Sequence, residues 1–235
     1  MDALSSPLLQ RFVDVVCRHL PRTSGSPAFL DVGCGTGAVL QACAARGVAG
    51  VGLEADRRLA KHAASEGSTV LCASADKLPW LDGSIPVVTL RHVPHHLERP
   101  GLCLSEAWRV ASRGLVIAEP IFDPSLPGQR LGQAADRLLK RLDRARGVFH
   151  AECLAPADLL ELLGGSCGSS RVEALFPLEP WTADDMQDRL AAAQGALALA
   201  PEDADEWNRL IDSAHQGQVS KNGTIILSIQ KTPFG

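Results

Sequence analysis

The sequence lacks long apolar runs, cysteines at C-x-x-C spacing and an excess of either charge. No stretch approaches the roughly 20 apolar residues that a membrane-spanning helix requires. The N-terminus, Met1-Asp-Ala-Leu4, has neither the basic start nor the small-residue cleavage site of a signal peptide. The odd total of seven cysteines indicates reduced thiols rather than a disulfide framework or a zinc site. These absences predict a cytoplasmic protein without a metal centre.

The overall charge also excludes a class of partner. The chain has 23 basic and 27 acidic residues, a net charge of -4, and therefore no sign of the basic surface that nucleic-acid binding requires. An apolar fraction of 46% is sufficient for a hydrophobic core, and 235 residues fit one α/β domain. We therefore expect a single domain, 1–235, whose ligands are small molecules rather than nucleic acids or membranes.

A glycine-rich turn follows the first predicted strand and reads Asp31-Val-Gly-Cys-Gly-Thr-Gly37. Glycines at a strand-to-helix turn let a ligand lie on the main chain, and the following helix N-terminus offers free N–H groups. With Ala38, the segment also satisfies the loose dinucleotide pattern G-x-G-x-x-G/A. Asp31 favours a different ligand, because its charge would repel a pyrophosphate and attract an ammonium and a sulfonium.

The same segment resembles the first motif of class I S-adenosylmethionine (SAM)-dependent methyltransferases. Residues 71–80 and 85–97, the latter ending in His-His-Leu, resemble later motifs of the small-molecule branch in the same order. The resemblance covers about residues 28–119. It implies SAM as the cofactor, S-adenosylhomocysteine (SAH) as its product, and a small organic methyl acceptor.

Apolar strands alternate with helical stretches after the glycine turn, which indicates a parallel sheet covered on both faces. The predicted fold is a Rossmann-like, seven-stranded, mostly parallel α/β sheet. We also expect an N-terminal helix and loop over 1–27, and helical lid or substrate-binding insertions over 121–155 and 178–220. The predicted strands span residues 28–32, 48–55, 69–73, 86–91, 115–119, 171–176 and 223–230.

Candidate cofactor residues lie mainly at the carboxyl ends of these strands, where ligands bind in such sheets. Glu54 can accept both hydrogen bonds from a ribose diol, with an ordinary surface position as the alternative. The resemblance puts Ser74 where the family commonly has an aspartate that contacts adenine, with Asp76 as a substitute. Pro86 also departs from the family's usual aspartate. The expected cofactor-binding residues are Asp31, Gly33, Cys34, Gly35, Gly37, Glu54, Ala55, Ser74, Ala75, Arg91 and His92.

Three residues are candidates for catalysis: His96, His95 and Glu119. An imidazole titrates near neutrality, so either histidine can serve as general base for an O–H or N–H nucleophile. Packing or capping is the alternative for each. Glu119 can orient a substrate hydroxyl or amine, or pair with a neighbouring cation. His150 is expected on the solvated surface beside the lid.

These features predict SAM-dependent methyl transfer to oxygen or nitrogen of a small organic acceptor, of the kind found in secondary metabolism. A basic amphipathic helix over 129–146 presents a solvated face, or alternatively docks an anionic substrate or an acidic carrier protein that bears the acceptor. Two other functions stay open. One is a SAM-binding protein of this fold with a non-methylating or regulatory role, and the other is an NAD-dependent dehydrogenase.

Overall fold

The computed structural model describes residues 6–20, 27–164, 168–176, 178–195 and 199–231. Its strands are β1 (Phe29–Val32), β2 (Gly50–Glu54), β3 (Val70–Cys72), β4 (Ile85–Arg91), β5 (Ala111–Ile121), β6 (Ser170–Leu175) and β7 (Gly223–Gln230). They form one sheet in the order β3-β2-β1-β4-β5-β7-β6. Strand β7 is antiparallel to both of its neighbours, and the remaining pairs are parallel. The predicted seven-stranded, mostly parallel sheet is confirmed.

Helices connect the strands. They are α1 (Pro7–His19), α2 (Ala38–Ala44), α3 (Arg57–Ser65), α4 (Pro100–Val110), α5 (Pro127–Ala145), α6 (Pro156–Leu162), α7 (Ala183–Gln194) and α8 (Pro201–His215). A 3₁₀ turn covers Pro94–His96. Five of the helices begin with proline, whose missing N–H has no intrahelical partner at that position and whose φ is already helical.

Strand β1 lies inside the sheet and is buried on both faces, which explains why its residues are apolar apart from Asp31. Phe29 packs in a core with Phe12 of α1, whereas Leu30 and Val32 pack in a second core with Leu104 of α4. Side chains alternate between the faces of a strand, so helices cover the sheet on both sides. This arrangement leaves the carboxyl ends of the strands as the place where ligands can reach the sheet.

Six of the seven strands differ from the predicted bounds, most of them by one or two residues. Strand β5 differs most: it begins at Ala111 rather than at residue 115, and it extends to Ile121 because its last residues pair with β7, as in the register of Glu119 with Ile225. Strand β4 begins at Ile85, so Pro86 is its second residue rather than the predicted first. The register shifts between Ile85 and Val87, and such an irregularity accommodates a residue that has no N–H to donate.

Helices α5, α7 and α8 share a third apolar core, separate from the two that cover the sheet. Leu138, Met186 and Trp207 are its most deeply buried large members. The core joins α5, which precedes β6, to α7 and α8, which lie between β6 and β7. The helices therefore form a packed layer rather than independent surface loops.

Replacing Leu138 by alanine is expected to lower the free energy of unfolding by about 2–5 kcal/mol, because its side chain is fully buried and the cavity would persist. Urea denaturation measures this change. The matched control is Leu102→Ala on α4, whose leucine is 44% exposed and should lose well under half as much. Equal losses in the two variants would contradict the existence of this third core.

Within the described ranges, no helix is both long enough and apolar enough to cross a membrane. The six cysteines in these ranges are free thiols, and Cys167 lies outside them. Residues 1–5 and 21–26 of the expected N-terminal segment also lie outside the described residues.

Candidate cofactor and acceptor site

The glycine turn joins β1 to α2 at the carboxyl edge of the sheet. Gly33 has a φ of 67°, and a β-carbon there would lie 2.6 Å from Cγ2 of Val93. Gly35 has a φ of 55°, but a β-carbon at that position would meet no heavy atom within 4 Å. The space above Gly35 is therefore open to a ligand lying on the main chain. Gly37 is the N-cap of α2, and the side chain of Cys34 is buried.

Glu54 ties this turn to the start of α3. Its Oε2 accepts a hydrogen bond from the N–H of Gly35 at 2.8 Å, and its Oε1 accepts one from the N–H of Asp56 at 2.9 Å. Each carboxylate oxygen has a second lone pair. The fixed carboxylate can therefore accept two further hydrogen bonds, as a ribose diol requires. Ala55 follows directly.

Replacing Glu54 by glutamine is expected to weaken SAH binding about tenfold, a loss of about 1.4 kcal/mol. The carboxylate accepts a hydrogen bond from each of two backbone N–H groups, whereas the glutamine amide would turn its own NH₂ donor toward one of these donors. Isothermal titration calorimetry measures the change. Glu66→Gln, at the exposed end of α3, is the matched control. An unchanged Kd for Glu54→Gln would argue against a ribose contact.

Asp31 is a buried carboxyl beside the glycine turn. It is 2% exposed, and its Oδ1 accepts a hydrogen bond from the Thr89 hydroxyl at 2.7 Å. Burial raises the pKa of Asp31 to about 7, although the Thr89 hydrogen bond and the nearby charge of Arg91 act in the opposite direction. Ionising this carboxyl is costly because burial outweighs its partners. The site would gain from a ligand that brings a cation.

His92 follows β4 at the same edge and adopts a φ of 57°, a value that is rare outside glycine. Its Nε2 is buried and has no hydrogen-bond partner among the described residues. Burial, aided by the charge of Arg91, lowers the pKa of His92 to about 3. A neutral, unpaired ring nitrogen on a strained backbone suits a position where a ligand completes the hydrogen bonding.

Ser74 and Ala75 follow β3. The Ser74 hydroxyl is exposed and accepts a hydrogen bond from the N–H of Asp76 at 3.2 Å. The Asp76 carboxylate accepts one from the Arg99 guanidinium at 2.6 Å. Asp76 is thus already engaged, whereas the Ser74 hydroxyl keeps its own proton as a donor.

His95 and Glu119 form a buried pair farther along the edge. The two carboxylate oxygens of Glu119 lie 2.8 and 3.0 Å from Nδ1 of His95. Glu119 is fully buried, and only 4% of His95 is exposed. The N–H of Ala151 donates to the His95 carbonyl at 2.9 Å. The carboxylate therefore fixes the orientation of the ring and leaves Nε2 for another partner.

His150 lies against His95 and its neighbour His96, which corrects the expectation that His150 is solvated surface. Its ring centroid lies 4.4 Å from that of His96 and 5.4 Å from that of His95, and the His95 and His96 centroids are 4.2 Å apart. Its Nδ1 lies 2.7 Å from Oδ2 of Asp143. Desolvation lowers the pKa values of His96 and His150. No local sequence pattern links them, because the contact depends on how the chain between α5 and α6 folds back.

A cavity of about 610 Å³ opens beside His150, between α5 and α7. Phe122 and Trp181 contribute apolar walls, and Asp143, Arg189 and Lys221 contribute charged groups. Its size is that of a site for a small organic molecule. His150 thus lines this cavity and also contacts His95 and His96, and His95 in turn contacts Glu119 near the end of β5.

The crevice fits SAM, the cofactor that the resemblance implies. The open space above Gly35 lets a ligand approach the main chain, and Glu54 holds acceptors for a ribose. Asp31 is a buried carboxyl short of a cation, and His92 carries an unpaired buried nitrogen. A pyrophosphate would instead meet the two carboxylates, so these residues disfavour a dinucleotide.

Comparisons with known proteins agree with this chemistry. Residues 30–118 match the family model described as a methyltransferase domain. A Mycobacterium sp. (strain JLS) protein described as an uncharacterized methyltransferase is 33% identical over 131 residues, which are 51% of this chain and 52% of that protein. The chain thus spans about half the length of that curated relative.

Two solved structures show the same fold. One is a Bacillus halodurans C-125 protein described provisionally as a methyltransferase, with a TM-score of 0.63, 20% identity, and coverage of 95% of this chain and 98% of that one. The other is the [4+2]-cyclase SpnF, with a TM-score of 0.61, 22% identity, and coverage of 96% and 82% respectively. The match to a methyltransferase domain agrees with SAM as the cofactor. Residues 30–118 are thus similar to the methyltransferase-domain family, and the chain as a whole has the fold of these solved structures.

Proposed function

We propose that this protein transfers a methyl group from SAM to an oxygen or nitrogen atom of a small organic acceptor. The observation that carries the proposal is a row of fixed acidic groups along the carboxyl ends of adjacent strands. Glu54 ends β2, Asp31 lies in β1 and Glu119 lies near the end of β5, with β4 between them. The β2 and β1 positions suit a cofactor, and the β5 position suits an acceptor.

The cofactor assignments follow from this row. When bound, SAM supplies a methyl group activated by its sulfonium charge. Glu54 would accept the ribose hydroxyls, Asp31 would face the amino group, and the Ser74 hydroxyl would donate to the adenine. Arg91 and His92 would border the methionine end. The proposed set of cofactor-binding residues is Asp31, Gly33, Cys34, Gly35, Gly37, Glu54, Ala55, Ser74, Ala75, Arg91 and His92.

We assign to His95 the role of accepting the proton of the methyl acceptor, and Glu119 and His96 lie beside it. Glu119 would hold the Nδ1 proton of His95, which leaves the Nε2 lone pair to receive a proton from an acceptor O–H or N–H group. His96 would line the same approach. The contact between the His95 and Glu119 side chains supports this order of roles.

The single domain, 1–235, would enclose the acceptor by its insertions. Segments 121–155 and 178–220 contain α5, α7 and α8, whose packed layer borders the cavity. As a lid or substrate wall they would exclude water from the methyl-transfer step. The N-terminal segment 1–27 would contribute α1, which packs on the sheet.

Ion pairing within the basic helix favours a free acceptor over one bound to a carrier protein. Arg141 pairs with Asp203 and Glu206, and Arg146 pairs with Asp143. Arg144 donates to the carbonyl of His150 at 2.6 Å. These cations already have intramolecular partners, so an acidic carrier would have to displace them.

The test is incubation with methyl-labelled SAM and extracts of the producing organism, followed by tracing the label into small-molecule products. Label should pass to a product with the unaltered protein and fail to pass with Asp31→Asn. The second candidate function, a non-methylating reaction, is favoured by the [4+2]-cyclase among similar folds. SAH binding without any transfer of label would favour that candidate over methylation.

A further inference from the structure

Three imidazoles converge beside the acceptor cavity, and we propose that His95, His96 and His150 bind one divalent cation of the zinc class. One ring nitrogen of each lies within 4.8 Å of the others. Zinc–nitrogen bonds of about 2.1 Å in tetrahedral geometry place ligand atoms roughly 3.4 Å apart. Side-chain rotation closes this difference, and His96, which is exposed, has room to turn.

Carboxylates behind two of these rings are the second part of the evidence. Glu119 holds Nδ1 of His95 at 2.8 Å, and Asp143 holds Nδ1 of His150 at 2.7 Å. In metal sites a ligating histidine commonly donates its other N–H to a carboxylate, which fixes the ring and increases the basicity of the ligand nitrogen. With Nδ1 held by a carboxylate, each ring has Nε2 left as the ligand atom. When the cation is bound, Nε2 of His95 is a ligand and not a base, and the cation itself lowers the pKa of the acceptor group; the base role of His95 applies to the metal-free protein.

The surrounding charges are compatible with a cation at this position. The nearest buried ammonium, that of Lys140, lies 2.8 Å from a carboxylate oxygen of Asp136 and 3.2 Å from the sulfur of Cys153. Lys140 is thus neutralised by its own partner. An alternative set of His95, Glu119 and Cys153 also lies close together, but Glu119 is already engaged by His95 and the ammonium of Lys140 contacts Cys153.

The site would leave a coordination position for the acceptor. Three-histidine zinc sites keep a fourth position open, and a cation there lowers the pKa of a bound O–H or N–H group. His150 lines the cavity, so that position lies at its end. The open position predicts the class of acceptor, namely molecules with an ionisable hydroxyl or amide-type N–H group. This prediction rests on the proposed function, whereas cation binding itself is independent of that function.

Direct metal titration tests the site without using activity. The purified, metal-stripped full chain is titrated with Zn²⁺ against a chromophoric chelator, and with Co²⁺ by visible absorption. We expect one ion per chain. His150→Gln should weaken Zn²⁺ binding at least 100-fold, and Asp143→Asn should weaken it about 10- to 100-fold because only the carboxylate behind the ligand is changed. His62→Gln, on the exposed face of α3, is the matched control.

Circular dichroism and thermal melting of each variant test whether the fold is retained. Absence of stoichiometric Zn²⁺ binding, or binding that His150→Gln and Asp143→Asn leave as tight as His62→Gln does, would overturn the inference. Zinc binding without methyl transfer would support the site while removing the proposed function. Methyl transfer by a protein that binds no zinc would support the proposed function and overturn the cation site.

Discussion

Replacing Asp31 by asparagine is expected to weaken SAH binding at least 100-fold and, at the same time, to raise the melting temperature of the ligand-free protein at pH 8. The first effect follows because the amide cannot supply the charge that faces the ligand's ammonium group. The second follows because ionising a buried carboxyl costs folding free energy, here up to about 4 kcal/mol from the shift of the Asp31 pKa from 3.8 to about 7. One substitution should thus separate stability from binding.

The pH dependence gives these effects a definite sign. The folded protein retains a proton on Asp31 between its unfolded pKa of 3.8 and its folded pKa of about 7. Stability of the ligand-free protein should therefore fall as pH rises through this window, and Asp31→Asn should remove that fall. SAH affinity of the unaltered protein should increase up to about pH 7 and then level off.

The control for Asp31→Asn is Asp212→Asn, which removes an exposed carboxylate of α8. Differential scanning fluorimetry and calorimetry at pH 5, 7 and 8 measure both effects. A melting temperature that Asp31→Asn lowers at pH 8 would show that Asp31 stabilises the empty crevice. In that case the proposal that Asp31 lacks a cationic partner until the ligand binds would be wrong.

Replacing His95 by glutamine is expected to lower kcat about 100-fold or more while the Kd for SAH stays within about twofold. Loss of a positioned general base costs typically 10²- to 10⁴-fold, and the ring lies at β5 rather than at the cofactor end of the crevice. Glu119→Gln should lower kcat less, because it removes the group that orients the ring while leaving the ring in place. Single-turnover transfer of labelled methyl measures both.

His62→Gln is the matched control for these variants and should leave kcat unchanged. If His95→Gln raised KM without changing kcat, the imidazole would be a binding group only. If the loss instead appeared in the Kd for SAH, His95 would have to contact the cofactor rather than the acceptor.

Much of the cofactor half of the site is readable from local sequence. A strand, a glycine turn and a helix occupy adjacent residues, so the positions of Asp31 and Gly35 follow from one short segment. Glu54 comes one strand later and reaches the turn through a neighbouring, parallel strand. Parallel strands bring their carboxyl ends to one edge, and this rule alone placed Arg91 and Glu119 at the same edge.

The sequence could not show which partners these side chains have. Asp76 was a possible adenine contact, yet in the structure it pairs with Arg99, which stands before α4. Lys140 was expected on a solvated helix face, yet its ammonium is buried between Asp136 and Cys153. Both outcomes depend on how helices pack, and the periodicity of a single helix contains no information about its neighbours.

The sequence by itself determined the alternation of strands and helices, the glycine turn and the edge of the sheet at which the candidate site lies. These features depend on short-range periodicity and on the backbone freedom of a few glycines. Only the tertiary structure decided that His150 joins His95 and His96, that α5, α7 and α8 share one apolar core, and that α5 and α7 line the cavity. Those contacts join residues far apart in the chain, so their formation depends on the packing of a shared apolar core rather than on any local pattern.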